Sequence, residues 1–297
     1  MKDLRYALRL IGKHPWLSLV AVLSLTLGIG ANTTIFSFAD ALLFRQPPVS
    51  QPNRLVEVWT HDPDPNAPFT GLYPLSYLDY KDYAAQAQSF SGIASYNPGT
   101  EANVQLGAAG SQAWTGQLVS ANYFDVLGLR PALGRWFLPA EGATVGAGTV
   151  VVLTYANWQQ QFGGRSDVVG RQIRMNGLPF TVIGVAPRGF EGMFAGVEVK
   201  FFVPVTMAAR MGSPTYMVSR SSRGMVSFGR LKPGVTLAAA SGELDAIQHR
   251  LDRLYPSSDA ARFGAKALPI GLLPTPFRGF ISAGAGLLAV VVGLVLL

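Results

Sequence analysis

The sequence predicts an α+β extracytoplasmic domain of two lobes, with mixed sheets and packed helices, flanked by transmembrane α-helices. Three observations predict it: an apolar stretch towards each end, a basic cluster confined to the residues before the first stretch, and alternating strand-like and helix-like runs between them. The 297 residues are 49% hydrophobic and only 14% charged, which is apolar for a soluble chain. There is no cysteine, which excludes a disulfide framework and a Cys-based metal site.

Residues 1–15 carry Lys2, Arg5, Arg9 and Lys13 against Asp3. On a helix Leu4, Leu8 and Ile11 share one face, so this cytoplasmic, amphipathic basic segment is suited to the inner lipid headgroup layer until His14 and Pro15 break it. An unstructured basic flank that only sets topology is the other reading, and both stand. Residues 16–44, "WLSLVAVLSLTLGIGANTTIFSFADALLF", contain no Lys, Arg or Glu and one carboxylate, Asp40. A membrane-crossing helix needs about 20 mainly apolar residues, and 16–38 supplies them with Trp16 at headgroup level. Ala39, Asp40 and Ala41 have the form of a signal cleavage site. The apolar run, however, exceeds the roughly 7–15 residues of a signal core, so a retained transmembrane helix 1 extending outward over 16–44 is preferred. A basic flank stays in the cytoplasm, which puts the region 45–278 outside.

Within 45–278, strand-like runs bounded by turn residues recur: "RLVEVWT", "GIASYN", "GTVVVLTY", "RQIRM", "LPFTVIGVAP" and "KFFVPV". Asn176 and Gly177 between two of them predict a tight hairpin, because both accept positive φ in a type I′ turn. Helices are predicted over 76–88, 121–127, 156–162 and 236–254, the last from Leu237, Leu244, Ile247 and Leu251 at helical spacing. Prolines in "PVSQPN" and "LLPTPFRG" mark seams at the two ends. The hairpin region, about 140–205, is expected as a lobe inserted into the first. Residues 279–297, "GFISAGAGLLAVVVGLVLL", read as the start of transmembrane helix 2. Ser282 and Gly286 there, like Ser24 and Gly28 in the first span, stand at a spacing that lets another helix approach. A span without a following basic anchor is expected to belong to a longer membrane protein.

Reactive chemistry is sparse. No phosphate-cradling, dinucleotide, H-E-x-x-H or G-x-S-x-G pattern occurs, and His14, His61 and His249 are far apart in the chain. His61, Asp62 and Asp64 in "HDPDPNAP" are the one set with metal-ligand chemistry, but three prolines favour an exposed, stiffened loop. Arg210, Arg220, Arg223, Arg230 and Lys232 lie in a stretch without acids. Solvated loop is the favoured reading of it, with lipid headgroup or acidic-partner contact second and nucleic acid disfavoured outside the cell. No catalytic, cofactor-binding or metal residue is expected, and no cofactor.

Several ordered blocks carry a resemblance over essentially the whole chain. "VSANYFDVLGLRPALGRWFLPAEG", "VVLTYANWQQQFGGRSDVVGRQIRMNGLPFTVIGVAP" and "FGRLKPGVTLAAASGELDAIQHRLDRLYP" resemble the outer domain of MacB/FtsX-type ABC transporter permeases. The first 48 residues are similar to the duplicated orphan permease subgroup. Within these blocks Gly128, Gly134, Gly163, Gly164 and Gly184 suit tight turns or close backbone approach, and Phe124, Trp136, Trp158 and Phe162 supply core area.

The resemblance implies a permease subunit in the bacterial inner membrane, with a large domain between its first two helices and an ATP-binding partner subunit inside the cell. It also implies a homodimer or pseudo-dimer of permease halves, contact with membrane lipid, and in some relatives a periplasmic adaptor. ATP hydrolysis by the partner would then move the outer domain, in efflux or in mechanotransmission. A membrane-anchored sensor or receptor shares the topology and is the second reading. A tethered enzyme is the third.

Overall fold

The computed structural model describes residues 15–43, 47–64, 66–107, 110–256, 263–271 and 273–295. The basic segment expected over 1–15 lies, apart from Pro15, outside the described residues. Contacts divide the chain into two compact units, Met1–Arg45 with Phe277–Leu297, and Gln46–Pro276.

Helix α1 spans Pro15–Leu43, 29 residues. At 1.5 Å per residue that is about 43 Å. Its described apolar side chains are exposed at Trp16, Leu19, Val20, Val22, Leu23, Leu25, Leu27 and Ile29, positions that encircle the helix rather than form a stripe. The hydroxyls of Thr26, Thr33 and Thr34 donate to the carbonyls of Val22, Ile29 and Gly30 at 2.7–2.8 Å, so these three hydroxyls are satisfied within the helix. Residues 39–41, the cleavage-like triplet, are helical.

In chain order the strands of the second unit are β1 (Leu55–His61), β2 (Leu72–Tyr73), β3 (Leu75–Ser76), β4 (Phe90–Tyr96), β5 (Thr100–Gln105), β6 (Ser111–Val119), β7 (Leu133–Gly134), β8 (Val150–Leu153), β9 (Gln172–Met175), β10 (Leu178–Val185), β11 (Phe201–Pro204), β12 (Arg223–Leu231) and β13 (Gly264–Pro269). The helices are α2 (Tyr77–Gln86), α3 (Tyr123–Leu127), α4 (Tyr155–Phe162) and α5 (Leu237–Leu254). Ser76, Thr154 and Thr236 begin α2, α4 and α5, each accepting from the amide three residues on, which satisfies one of the amides a helix start leaves orphaned.

The first lobe is the antiparallel sheet β4-β12-β1-β13. Side chains alternate across a strand, and β1 shows it cleanly. Val56 and Val58 join the core with Tyr83, Leu244, Ile247 and Leu251 of α2 and α5. Leu55 and Trp59 join the core on the other face with Tyr96, Phe228, Tyr123 and Phe124. Around Tyr123 and Phe124 the rings of Tyr96, Trp136, Phe190, Phe202 and Phe228 pack at centroid distances of 4.0–6.3 Å.

The second lobe is a closed ring of six strands. β5 pairs with β6, β6 runs parallel to β11, and β11, β8, β10 and β9 follow in turn until β9 returns to β5. Trp114, Leu118, Val151, Ile173, Phe180 and Val203 are buried in the core on this side. The segment expected as a lobe, 140–205, supplies four of these strands, and β5 and β6 from outside it complete the ring. The two lobes share sheet continuity through one ladder pair, Tyr96 with Val119, reinforced by the Asn97 side chain accepting from the Leu118 amide at 2.7 Å.

The Asn176 and Gly177 turn joins β9 to β10 with φ of 50° and 79°. Gly134 and Gly184 face each other across β7 and β10; a Cβ on Gly184 would lie 2.3 Å from the Arg135 carbonyl oxygen. Helix α6, Thr275–Val295, 21 residues, closes the chain. Several apolar residues of α1 and α6 fall outside the described side chains; among the described residues no helix is long and apolar enough to cross a membrane.

Gly184→Ala forces backbone apart and is expected to cost about 2–3 kcal/mol. Gly163→Ala, where φ is 60° and nothing lies within 4 Å, should cost about 1–2 kcal/mol from its left-handed conformation alone. Urea unfolding of the two variants measures the difference.

Candidate functional site

The folded unit is entered at Gln46 and left at Pro276, and the polar side chains around these two points form its most organised site. After the entry, Gln51 adopts a left-handed conformation, φ 47°, which turns the carbonyls of Ser50 and Gln51 towards β12. Arg230 on β12 donates to three carbonyls: from Nη2 to Ser50 at 2.7 Å, from Nη1 to Gln51 at 3.3 Å and from Nε to Val126 at 2.8 Å. Arg54 returns the grip, donating from Nε and Nη2 to the Leu231 carbonyl at 3.0 and 2.6 Å. Burial, and secondarily the charge of Arg54, lowers the basicity of Arg230.

At the exit, Glu57 of β1 is 3% exposed. Its Oε2 accepts from Trp59 Nε1 at 2.7 Å and from the amide of Thr275, the first residue of α6, at 3.0 Å. Register places Leu55 opposite Arg230 and Glu57 opposite Phe228, so the entry and exit grips lie two residues apart on adjacent strands.

The basic stretch from Arg210 to Lys232 is therefore only in part a solvated loop: residues 212–222 are turns with several exposed positions, but Arg220, Arg223 and Arg230 are held internally. Residues 223–231 are strand β12, paired with β1 and β4. Arg220 donates to Asp79 at 2.5 Å and Asp82 at 2.6 Å and lies 3.8 Å from the Tyr255 ring centre. Burial alone would lower its basicity, but the hydrogen bonds it donates to Asp82 and Asp79 raise it. Arg223 donates to Thr60 Oγ1 at 2.6 Å and stands over the Phe263 ring. Arg210 and Lys232 are exposed. The acids that neutralise Arg220 belong to α2, some 140 residues earlier, which is why the local stretch looks unpaired.

In "HDPDPNAP" Pro63, Asp64, Asn66 and Pro68 are exposed and lie outside any strand, as expected of an exposed loop. Asp62 is 3% exposed; its Oδ1 accepts from the Asp64 amide and the Asp64 carboxylate from the Asn66 amide, at 3.0 and 2.9 Å. These carboxylates shape consecutive turns. His61 ends β1, and burial lowers its pKa. Among the described residues no group of three His, Asp or Glu is placed to hold a metal ion. His249 on α5 sits beside Asp245 at 3.4 Å, and His14 lies outside the described residues. Of the residues expected in the core, Phe124 is fully buried. Trp136 stacks on it at 4.0 Å, and Trp158 and Phe162 pack partly buried against the core.

Glu57, Arg54 and the true partners of Arg230 escape sequence reasoning. The only local signal is a carboxylate inside the apolar run "LVEVW".

A two-lobed α+β unit gripped at both of its chain ends defines a folded domain set between two helices. The chain belongs to the MacB-like periplasmic core domain family, whose model matches residues 18–247. It is similar to the macrolide export ATP-binding/permease protein MacB of Escherichia coli strain K12, 28% identical over 249 residues, which cover 82% of this chain and 36% of that protein. It is also similar to the protein of the same name from Chlorobium phaeobacteroides, 30% identical over 151 residues, 48% of this chain and 21% of that one. The chain thus spans about a third or less of these relatives' length. A domain of a permease protein from Porphyromonas gingivalis shares the fold at 13% identity, TM-score 0.55, over 76% of this chain and 93% of that one. So does the periplasmic region of MacB from Actinobacillus actinomycetemcomitans, at 14% identity, TM-score 0.51, over 80% and 94%.

Arg230→Lys keeps the charge but cannot reach three carbonyls with a planar fork. It is expected to destabilise the folded unit by about 1–3 kcal/mol, read as a lower urea midpoint with an unchanged slope.

Proposed function

We propose that this chain is the membrane-anchored, extracytoplasmic part of an ABC-transporter permease of the MacB/FtsX type in a bacterial inner membrane. A partner subunit hydrolyses ATP in the cytoplasm, and the two helices carry that work to the folded unit outside, in efflux or mechanotransmission. The observation that carries the reading is the family match over residues 18–247, in a chain where a folded unit lies between two apolar helices. The exposed apolar residues encircling α1 and the threonine hydroxyls satisfied within it support a lipid-facing rod, because unsatisfied polar groups are costly in hydrocarbon. Residues 16–38, which carry no charge, would be its membrane-crossing part, with α6 the return span. Action as a dimer, with lipid and an adaptor as further partners, belongs to the same proposal.

The chain has no cysteine, so single cysteines give a clean topology test. In whole cells with a permeabilised outer membrane, an impermeant maleimide should label Ser166→Cys, an exposed position, and leave Lys13→Cys unlabelled. The reverse pattern overturns the orientation. If α1 acts as a lever, Gly28→Ala with Gly30→Ala should preserve or improve ATP-driven movement in the complete protein, since each glycine weakens a helix by about 1 kcal/mol and nothing lies within 4 Å of a Cβ on Gly30. Loss of movement with assembly intact would rule out the lever.

A further inference from the structure

Helices α2, α4 and α5 take their starting caps from their own sequence, through Ser76, Thr154 and Thr236. Helix α6 does not. The residue in its cap position is Pro274, whose side chain offers no acceptor, and Thr275 Oγ1, already inside the helix, is buried and makes no hydrogen bond. The Thr275 amide goes instead to Glu57, 218 residues away in the chain. The next residue, Pro276, has no N–H, so Thr275 offers the first amide by which this helix start can be held.

Glu57 is also the wrong residue for sheet stability alone. It sits inside β1, between Phe228 of β12 and Leu268 of β13, in a strand whose first six residues are buried. Burying a carboxylate costs several kcal/mol, and an apolar side chain of similar size is often neutral or better. A strand position that breaks the local pattern is where a function is to be sought. What the carboxylate gains is the positive end of α6, where an anion is favoured by the helix dipole and by the orphaned amides.

We propose that Glu57 is the positioning residue that locks the start of α6 to β1, so that displacement of this helix reaches the sheet without being absorbed at the joint. Trp59 Nε1, donating to the same oxygen, fixes the carboxylate's orientation. Arg230, two residues along the paired strands, holds the chain where it enters, so one strand pair receives both ends. The proposal rests on the transporter reading above and adds to it the residue through which the second helix acts.

The test uses the full-length protein with its ATPase partner in lipid nanodiscs. One readout is hydrogen exchange over residues 271–278, and the other is an environment-sensitive probe on Ser166→Cys that reports ATP-driven movement. In Glu57→Leu, exchange over 271–278 should rise by about tenfold, the equivalent of one lost hydrogen bond, while 223–231 keeps its protection. ATP hydrolysis should continue and the probe response should be lost. Glu57→Gln, whose side-chain oxygen can accept from both donors, should restore both readouts. Trp59→Phe should lower stability without raising exchange over 271–278. If Glu57→Leu does not fold, Glu57→Asp carries the test, since one methylene fewer withdraws the acceptor from Thr275. Unchanged exchange over 271–278, or a rise shared by the whole sheet, overturns the proposal. If exchange responds as expected but the unsubstituted protein shows no ATP-driven response, the joint stands and the transporter reading falls.

Discussion

The strand pair β1 and β12 is the constraint on which the folded unit depends. β1 is buried on both faces, so every side chain from Leu55 to Thr60 must meet a neighbour. One face meets α2 and α5, the other the aromatic group around Tyr123 and Phe124. Because the side-chain period is two, a slip of one residue would exchange the two cores and carry Glu57 away from Thr275. The register that packs the lobe is thus the register that builds the grips at entry and exit. The packing of the lobe and the hydrogen bonds at its two chain ends are set by one choice of pairing.

The same economy appears in the charged residues. Arg220, Arg223 and Arg230 are not a surface field. They hold respectively the loop before β12 to α2, the strand start to Thr60, and the entry segment to the sheet. Partly buried guanidinium groups satisfied by carbonyls and carboxylates stabilise by denying those acceptors an unpaired state, which costs about 1–3 kcal/mol each. The second lobe follows a different rule. Closing six strands into a ring leaves no open edge among them, and among the described residues its one ladder contact with the first sheet is Tyr96 with Val119.

Which parts were legible in the sequence follows from the distance over which each signal acts. The Asn176 and Gly177 turn, the capped helices and the strands "LVEVW" and "LPFTVIGV" carry their signals within a few residues. Strands β5, β6, β12 and β13 do not. "TEANVQ" and "GAKALP" are poor in β-branched and aromatic residues, and β12 puts Ser227 and Gly229 among its inward positions. Such segments become strands because flanking strands offer them hydrogen bonds, and the measured preference of a residue for strand is mostly a preference for that context. The basic stretch was in part misread, for a related reason: Asp79 and Asp82 are distant in the chain.

By itself the sequence determined the apolar end segments, the basic cluster before the first of them, the α+β alternation, the lack of nucleotide and hydrolase motifs in these residues, and the resemblance of ordered blocks to a permease family. Each is written in composition or short spacing, where backbone geometry and solvent act on neighbouring residues. Only the tertiary structure decided that β5 and β6 close a ring with four later strands, that the arginines are internal fastenings, and that Glu57 receives the start of α6. Those outcomes depend on pairings across about 70 to 218 residues, and loop-closure entropy, which rises only slowly with length, leaves such partners almost unspecified until the core selects them.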